Sequence, residues 1–142
     1  MEVISTSQSQ TKQIGTKLAK TLKGGEVIAL FGNLGAGKTV FTKGIAESLG
    51  IGKKITSPTF LFMKSYPALV NKRSIILHHL DLYRVETKID IKNLALEEIF
   101  APNSIVVIEW AEKLGKNLPK KRIDVTIKIE DEKTRKVTIR RN

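Results

Sequence analysis

The 142-residue chain contains no cysteine, which excludes disulfide bonds and thiolate metal sites and suits a reducing compartment. It has no apolar run long enough to span a membrane, and its polar first 11 residues lack the apolar centre of a secretory signal. It also lacks repeats and low-complexity linkers. These absences predict a cytoplasmic protein with no membrane association. The length, enough for one core and too short for a second, predicts a single domain over residues 1–142.

Acidic residues are scarce: 14 Asp and Glu stand against 25 Lys and Arg, which gives a net charge of +11. The excess is concentrated in residues 113–142, which hold 11 basic and 4 acidic residues. Such a segment could contact a polyanion such as RNA or an acidic protein surface. It could equally be a solvated lysine-rich surface without a partner. The composition leaves both interpretations open.

A glycine-rich segment, Gly32–Thr39, fits the phosphate-loop pattern G-x-x-x-x-G-K-[ST] at every fixed position. An apolar strand at 27–31 precedes it, and an amphipathic helix at 39–49 follows. Glycines let successive main-chain N–H groups converge on one anion, and the helix dipole adds to the attraction. We expect Lys38 to reach the β- and γ-phosphates of a nucleoside triphosphate, and the Thr39 hydroxyl to ligate Mg²⁺. The residues predicted to bind the nucleotide are Gly35, Ala36, Gly37, Lys38, Thr39 and Val40. The alternative is a strand-to-helix turn that binds nothing.

Two carboxylates close apolar strands and are candidates for the metal and the attacking water. Asp81 follows the run 75–80, and Glu109 follows the β-branched run 104–108. We assign Glu109 to the Mg²⁺ shell, and Asp81 to the metal's water shell or to positioning the attacking water. The two roles could be exchanged, and either residue could be a solvated strand end.

His78 and His79 lie just before Asp81 and could be read as metal ligands. Adjacent residues on a strand point to opposite faces, so at most one of them faces the site. We favour packing or hydrogen bonding for that histidine.

The remaining pattern predicts a mixed α/β sheet of the P-loop NTPase-like three-layer type, with a central sheet widened by antiparallel hairpins. The short connection 67–73 implies that the strands before and after it pair antiparallel. The further predicted elements are a helix at 11–22, strands at 60–66 and 74–80, a helix at 91–100, a strand at 104–108 and a C-terminal hairpin formed by 123–130 and 135–141.

Taken together, these motifs resemble the TsaE (YjeE) family of small bacterial ATPases. Four segments carry the resemblance, in the family's order and spacing: 32–39, Ser57-Pro58-Thr59-Phe60, the stretch 79–84 (His-Leu-Asp-Leu-Tyr-Arg) and 108–112 (Ile-Glu-Trp-Ala-Glu). The phosphate loop alone would indicate only an NTPase, whereas the Ser-Pro-Thr and Asp-Leu-Tyr-Arg segments are much more specific.

The resemblance implies an ATPase for the threonylcarbamoyladenosine modification of tRNA, acting with the partner proteins TsaB and TsaD and resetting their complex. It implies ATP and Mg²⁺ as cofactors, with Thr39 and Glu109 as the magnesium-binding pair and Asp81 and Trp110 as further important residues. It also implies that Ser57, Pro58 and Thr59 form a switch-like segment facing the nucleotide and the partners. Contact with tRNA could be indirect, through the complex, and the sequence leaves open whether this chain touches RNA directly.

Three residues depart from the family pattern: Asn33 where Asp is frequent, Val40 where a second hydroxyl residue is frequent, and Ala95 where glycine is usual. The first two affect details of phosphate contact, and the third a helix or turn.

Hydrolysis by the chain alone is expected to be slow, because the sequence offers no obvious arginine finger. Arg84 is the nearest candidate. A small-molecule kinase is a rival interpretation, although no long basic insertion offers a lid over an acceptor. A nucleic-acid-binding module with structural ATP is another, based on the basic C-terminal segment. We expect a monomer or weak dimer.

Overall fold

A seven-stranded mixed sheet lies at the centre of the computed structural model, which describes residues 1–58 and 62–142. Its spatial strand order is β1-β7-β6-β2-β5-β4-β3. The strands are β1 (Glu2–Ser5), β2 (Val27–Phe31), β3 (Met63–Val70), β4 (Arg73–Asp81), β5 (Ser104–Glu109), β6 (Ile123–Ile129) and β7 (Arg135–Arg141).

The four inner strands β6, β2, β5 and β4 are parallel, and β3 and β7 pair antiparallel with β4 and β6. Strand β1 adds antiparallel to the free edge of β7. The predicted fold class, a mixed sheet widened by antiparallel hairpins, is confirmed.

Helices cover both faces of the sheet and complete three layers. On one face, α1 (Gln8–Ala19) and α2 (Lys38–Ser48) enclose an apolar core with residues of the sheet. On the other face, α3 (Lys88–Lys92), α4 (Leu96–Ile99) and the 3₁₀ segment Ala111–Asn117 enclose a second core. Strand β5 lies between the two cores and is buried at every position, as its continuous apolar pattern predicts.

Two glycines allow α1 and α2 to pack closely. A Cβ at Gly44 would overlap the carbonyl of Lys12, and one at Gly15 would overlap the carbonyl of Phe41. The close contact fixes the start of α2, and therefore the phosphate loop, against the N-terminal helix.

The first hairpin is antiparallel as predicted, but its predicted connection is wrong. Residues 67–70 belong to β3, and the turn is the pair Asn71 and Lys72, both in the left-handed region with φ of 50° and 67°. Pro67 is tolerated inside a strand because β3 is at the sheet edge, where no outer neighbour needs its missing N–H. Residues 60 and 61, where the strand is predicted to start, lie outside the described residues.

The predicted helix at 91–100 is also wrong, because the chain forms two short helices there. Ala95 separates them in the left-handed region, with φ of 50°. Thr87 caps α3 and forms a reciprocal capping box with Asp90. This cap starts the helix at Lys88, three residues before the predicted start. Ala95 therefore occupies a turn that glycine would adopt without strain.

The first helix lies three residues before its predicted position, because the Ser7 side chain caps it by accepting a hydrogen bond from the Gln10 N–H. Strand β1 and the 3₁₀ segment were not predicted. In the part of the chain that the structure describes, no helix combines the length and apolar character needed to cross a membrane.

Candidate functional site

The carboxyl ends of three parallel strands meet at one edge of the sheet, beside the loop that follows β2. Asp81 and Glu109 are register partners at the ends of β4 and β5, and Leu30 of β2 is the partner of Glu109 on the other side. Ligands of open α/β sheets bind at this edge. The topology therefore brings both predicted carboxylates next to the phosphate loop.

The phosphate loop leaves the amino end of α2 open. Gly37 is the N-cap residue with φ of 111°, a left-handed conformation that favours glycine, and no side chain caps the helix. The first N–H groups of an α-helix have no partner within the helix, so here they are available to an anion. Gly35, Ala36 and Val40 also line the adjoining cleft of about 770 Å³.

Lys38, the first residue of α2, is almost fully buried and turned towards the loop. Its ammonium donates to the carbonyls of Gly32 and Asn33, the latter at 3.0 Å. It also lies 4.1 Å from the centre of the Trp110 ring, a cation–π contact. Burial lowers the pKa of Lys38, and the nearby carboxylates of Glu109, Glu112 and Asp81 partly oppose that shift. The ammonium is thus held at the loop in a setting that favours an anionic ligand.

Thr39 connects the loop to the carboxylate of β5. Its hydroxyl is 2.9 Å from Oε1 and 3.2 Å from Oε2 of Glu109, which is 2% exposed. The same hydroxyl is 3.2 Å from Oγ of Ser57. A threonine hydroxyl and a carboxylate are hard oxygen donors that suit Mg²⁺. The structure brings together the two residues predicted to hold the metal.

Asp81 is half-buried on the neighbouring strand. Burial raises the pKa of its carboxyl, and the charge of Glu109 adds to the shift. Hydrogen bonds from the Tyr83 N–H and from Ser57 act in the opposite direction. Ser57 therefore contacts both Thr39, which bonds to Glu109, and Asp81. It links the two carboxylates of the site through hydroxyl groups.

The raised pKa of Asp81 predicts that Asp81→Asn stabilises the protein at neutral pH. When a folded-state pKa exceeds the unfolded value, stability is lost as the pH rises through it, so the ionised carboxylate costs stability at pH 7. Solvent screening at this half-buried position keeps the gain within about 1 kcal/mol, or a rise in Tm of about 2–4 °C. Thermal unfolding at pH 7 and near pH 4 would measure it, with the gain shrinking at the lower pH.

Asp90→Asn is the matched control for that experiment. Asp90 accepts backbone hydrogen bonds from Glu86 and Thr87, which lower the pKa of its carboxyl. Its substitution should not raise Tm at neutral pH. A lower Tm for Asp81→Asn at pH 7, or a gain independent of pH, would contradict the argument.

Trp110 adopts a left-handed backbone conformation, with φ of 58° and ψ of 44°. This costs an aromatic residue on the order of 1–3 kcal/mol, and such strain clusters at functional sites. Its ring packs against Tyr83 at 5.1 Å between centroids, and Tyr83 is half exposed. Leu34, in the phosphate loop, is also largely exposed. Trp110 and Tyr83 thus connect the buried Lys38 to the protein surface.

The two histidines of β4 point to opposite faces, as predicted. His79 is fully buried and its Nε2 is 2.5 Å from Oε2 of Glu109. His78 lies on the other face, where its Nδ1 is 2.8 Å from Oγ of Ser65. One histidine thus belongs to the site, through a hydrogen bond to a carboxylate.

The far wall of the cleft was missed by the sequence reasoning. It is formed by Thr6, Ser7, Gln8 and Thr11, before and within α1, and by Glu132, Lys133 and Arg135 of the C-terminal hairpin. Arg135 donates from Nε to the carbonyl of Ala36 at 3.2 Å and from Nη2 to that of Gly35 at 3.3 Å. No local sequence pattern predicts the contact of Arg135 with the phosphate loop, because it joins residues about 100 positions apart.

Three further predicted residues are Pro58, Thr59 and Arg84. Pro58 is buried next to Ser57, and Thr59 lies outside the described residues. Arg84 is exposed and is not among the described residues that line the cleft.

Comparisons with known proteins agree with this architecture. The family model described as "Threonylcarbamoyl adenosine biosynthesis protein TsaE" matches residues 5–137. A relative named tRNA threonylcarbamoyladenosine biosynthesis protein TsaE from Bacillus subtilis (strain 168) is 40% identical over 129 residues, which cover 91% of this chain and 78% of the relative. A relative of the same name from Treponema pallidum (strain Nichols) is 33% identical over 139 residues, 98% of this chain and 99% of the relative.

A solved structure shares the fold as well. The one titled "Crystal structure of Bacillus subtilus YdiB" matches with a TM-score of 0.80 and 33% identity, covering 98% of this chain and 83% of that chain. The resemblance seen in the sequence motifs is thereby confirmed. Because the family model spans most of the chain and both relatives match nearly its full length, the chain belongs to the TsaE family.

Proposed function

We propose that this protein is an ATPase of tRNA threonylcarbamoyladenosine biosynthesis that binds ATP with Mg²⁺ in the cleft beside α2. The observation that supports it best is the contact of Thr39 with Glu109, at 2.9 Å, beside an uncapped helix start that carries Lys38. Family membership supplies the pathway, because the relatives carry its name. We also propose a cytoplasmic location, a monomer or weak dimer, and only indirect contact with tRNA.

The main-chain N–H groups of residues 35–40 would bind the phosphates of ATP. No side chain caps the helix, so its first N–H groups are open to the phosphates, whereas the Ala36 N–H would exchange its bond to the Asn33 carbonyl, at 3.0 Å, for a phosphate oxygen. Lys38 would turn from the carbonyls of Gly32 and Asn33 towards the β- and γ-phosphates, its role in phosphate loops. Arg135 holds the loop from the opposite side through the carbonyls of Gly35 and Ala36.

The donor set around Thr39 fits Mg²⁺. The described residues include no group of three or more His, Asp and Glu side chains able to hold a metal. A site with one hydroxyl and one carboxylate suits Mg²⁺, which usually keeps several waters and takes further oxygens from substrate phosphates. When bound, the cation would neutralise charge on the β- and γ-phosphates.

Asp81 would position the attacking water. It lies next to Glu109 in register and is linked through Ser57 to Thr39, so its carboxylate faces the same volume. The raised pKa of its carboxyl makes it a better proton acceptor than an exposed aspartate, because a base is more effective as its pKa approaches the working pH.

The site has no arginine free to act on the transferring phosphate among the described residues that line the cleft. Arg135, the one arginine there, is engaged with loop and hairpin carbonyls. In other phosphate-loop enzymes an arginine supplied by a partner accelerates hydrolysis by about 10³–10⁵. We therefore propose that hydrolysis is slow alone and that the TsaB–TsaD pair stimulates it.

ATP hydrolysis measured with and without the TsaB–TsaD pair tests this proposal. We expect a slow Mg²⁺-dependent rate for the protein alone and an increase of at least about tenfold with the pair, by analogy with partner-activated enzymes. Rapid hydrolysis that the pair does not change would contradict the partner role. Absence of ATP binding, measured by calorimetry at high protein concentration, would contradict the whole proposal.

Trp110→Ala provides the discriminating variant for the same assay. The ring reaches the surface through Tyr83 and touches Lys38, so it is placed to transmit partner contact to the phosphate site. Nucleotide binding should persist, and stimulation by TsaB–TsaD should be lost. Normal stimulation would remove Trp110 from the partner response. Tyr66→Leu, which removes an aromatic ring in the core away from the cleft, controls for the loss of aromatic packing.

A further inference from the structure

A histidine buried between the sheet and its helices holds the carboxylate that faces Thr39. His79 lies on β4, fully buried, and its Nε2 is 2.5 Å from Oε2 of Glu109 on the adjacent strand β5. The two residues are 30 positions apart in the sequence. Their contact is therefore made by the pairing of β4 with β5, two inner strands of the sheet.

The other ring nitrogen fixes the tautomer. Nδ1 of His79 is buried and is the one buried side-chain nitrogen or oxygen in the described part of the chain that has no hydrogen-bond partner. A buried N–H without an acceptor is costly, so the proton belongs on Nε2. Nε2–H then donates to Oε2, and the bond has a defined direction.

This donation distinguishes the two oxygens of Glu109. Oε2 receives the His79 proton and is 3.2 Å from the Thr39 hydroxyl, whereas Oε1 is nearer to that hydroxyl, at 2.9 Å. The terminal torsion of a glutamate is broad and poorly defined when nothing holds it. With Oε2 held by His79, Oε1 is the oxygen that lies nearer to Thr39 and has no bond to the histidine.

We propose that His79 is a positioning residue that orients Glu109, so that Oε1 and the Thr39 hydroxyl together face the divalent cation. The inference rests on the proposed function, because the orientation of Glu109 matters for cation binding only if the cleft holds a nucleotide and its cation. Partners that orient a metal-ligating group in this way typically change metal affinity by about 10- to 100-fold when removed.

The competing interpretation is that His79 only fills space. It lies between Leu80 and His78 on a strand whose inner residues pack in the apolar cores. If His79 only packs in the core, leucine, which has a similar volume, should replace it without any effect on cation binding. If His79 orients Glu109, leucine should weaken cation binding, whereas glutamine, whose amide N–H reaches about as far as Nε2, should preserve it.

The test compares His79→Leu, His79→Gln and the control His78→Gln, a change on the opposite face of the same strand. For each protein, ATP binding is measured by calorimetry in excess EDTA and then across a Mg²⁺ titration. We expect His79→Leu to bind ATP in EDTA about as the unmodified protein does, yet to need about tenfold more Mg²⁺ for half of the cation-dependent gain. His79→Gln should recover most of that loss, and His78→Gln should show none.

Several outcomes would overturn the proposal. An unchanged Mg²⁺ requirement in His79→Leu would show that His79 does not orient the carboxylate. Equal impairment in the Leu and Gln variants would show a packing role. If the Leu variant does not fold, His79→Asn replaces it, because the shorter asparagine amide cannot reach Oε2 of Glu109. Equal Mg²⁺ requirements in the Asn and Gln variants would likewise overturn the proposal. Failure of the unmodified protein to bind ATP would instead overturn the proposed function, so the two failures are distinguishable.

Discussion

Lys38→Ala is expected to weaken ATP binding by at least about 100-fold, because charge-assisted hydrogen bonds contribute about 1.5–3 kcal/mol each and 1.4 kcal/mol is a factor of ten. In the free protein the ammonium contacts the carbonyls of Gly32 and Asn33 and the face of Trp110. These contacts keep it within reach of the phosphates. Its removal leaves the main-chain amides in place, so residual weak binding should remain.

Thermal stability should change little in this variant. Burial lowers the pKa of Lys38, which means that the folded protein holds this cation at a cost. The lost contacts with the loop and the relieved cost therefore oppose each other. Lys43→Ala, a change of the same type on the same helix but outside the residues that line the cleft, is the control. Calorimetry with Mg²⁺ and ATP measures the effect, and unchanged affinity in Lys38→Ala would refute the assignment.

Glu109→Gln is expected to reduce ATP hydrolysis by at least about 100-fold, since the substituted amide is a poor ligand for a hard cation. Glutamine keeps the shape of glutamate, and its amide oxygen can accept from the Nε2–H of His79 while its N–H₂ donates to the Thr39 hydroxyl oxygen. The variant should therefore fold, and should bind ATP in EDTA about as well as the unmodified protein. Loss of Mg²⁺-dependent affinity together with retained metal-free affinity is the pattern that supports a metal-binding role.

Glu112→Gln separates this role from simple electrostatics. Glu112 is exposed on the 3₁₀ segment, and its charge raises the pKa of Lys38 as that of Glu109 does. If the site needs only negative charge near Lys38, the two variants should lose activity to similar degrees. If Glu109 binds the cation, Glu112→Gln should remain close to normal. Full activity in Glu109→Gln would exclude Glu109 from the reaction.

The phosphate loop could be predicted from sequence because its strand, turn and helix are consecutive and each has its own pattern. Glu109 could be placed beside it because parallel strands end at the same edge of a sheet, and Thr39 does contact it. The contact of His79 with Glu109 could not be predicted in the same way, since it depends on β4 being the neighbour of β5. Strand order is a property of the whole fold and leaves no local pattern.

The errors in the element boundaries have local causes. Pro67 indicated a connection, but an edge strand tolerates proline because no ladder hydrogen bond is lost. The predicted helix at 91–100 is interrupted at Ala95, which occupies a left-handed turn between two helices although alanine is the best helix former. The Arg135 contact with the carbonyl of Ala36 joins residues that are 99 positions apart in the sequence. Such tertiary contacts override the local preferences on which sequence reasoning depends.

Trp110 is the only tryptophan in the chain, and its ring lies 4.1 Å from the ammonium of Lys38. Indole emission is sensitive to a nearby positive charge and to exposure to water. The cleft therefore carries a single built-in optical reporter, whose signal comes from one defined place. Stopped-flow fluorescence of the unlabelled protein can follow the departure of Lys38 towards an incoming phosphate, without a dye or an added chromophore.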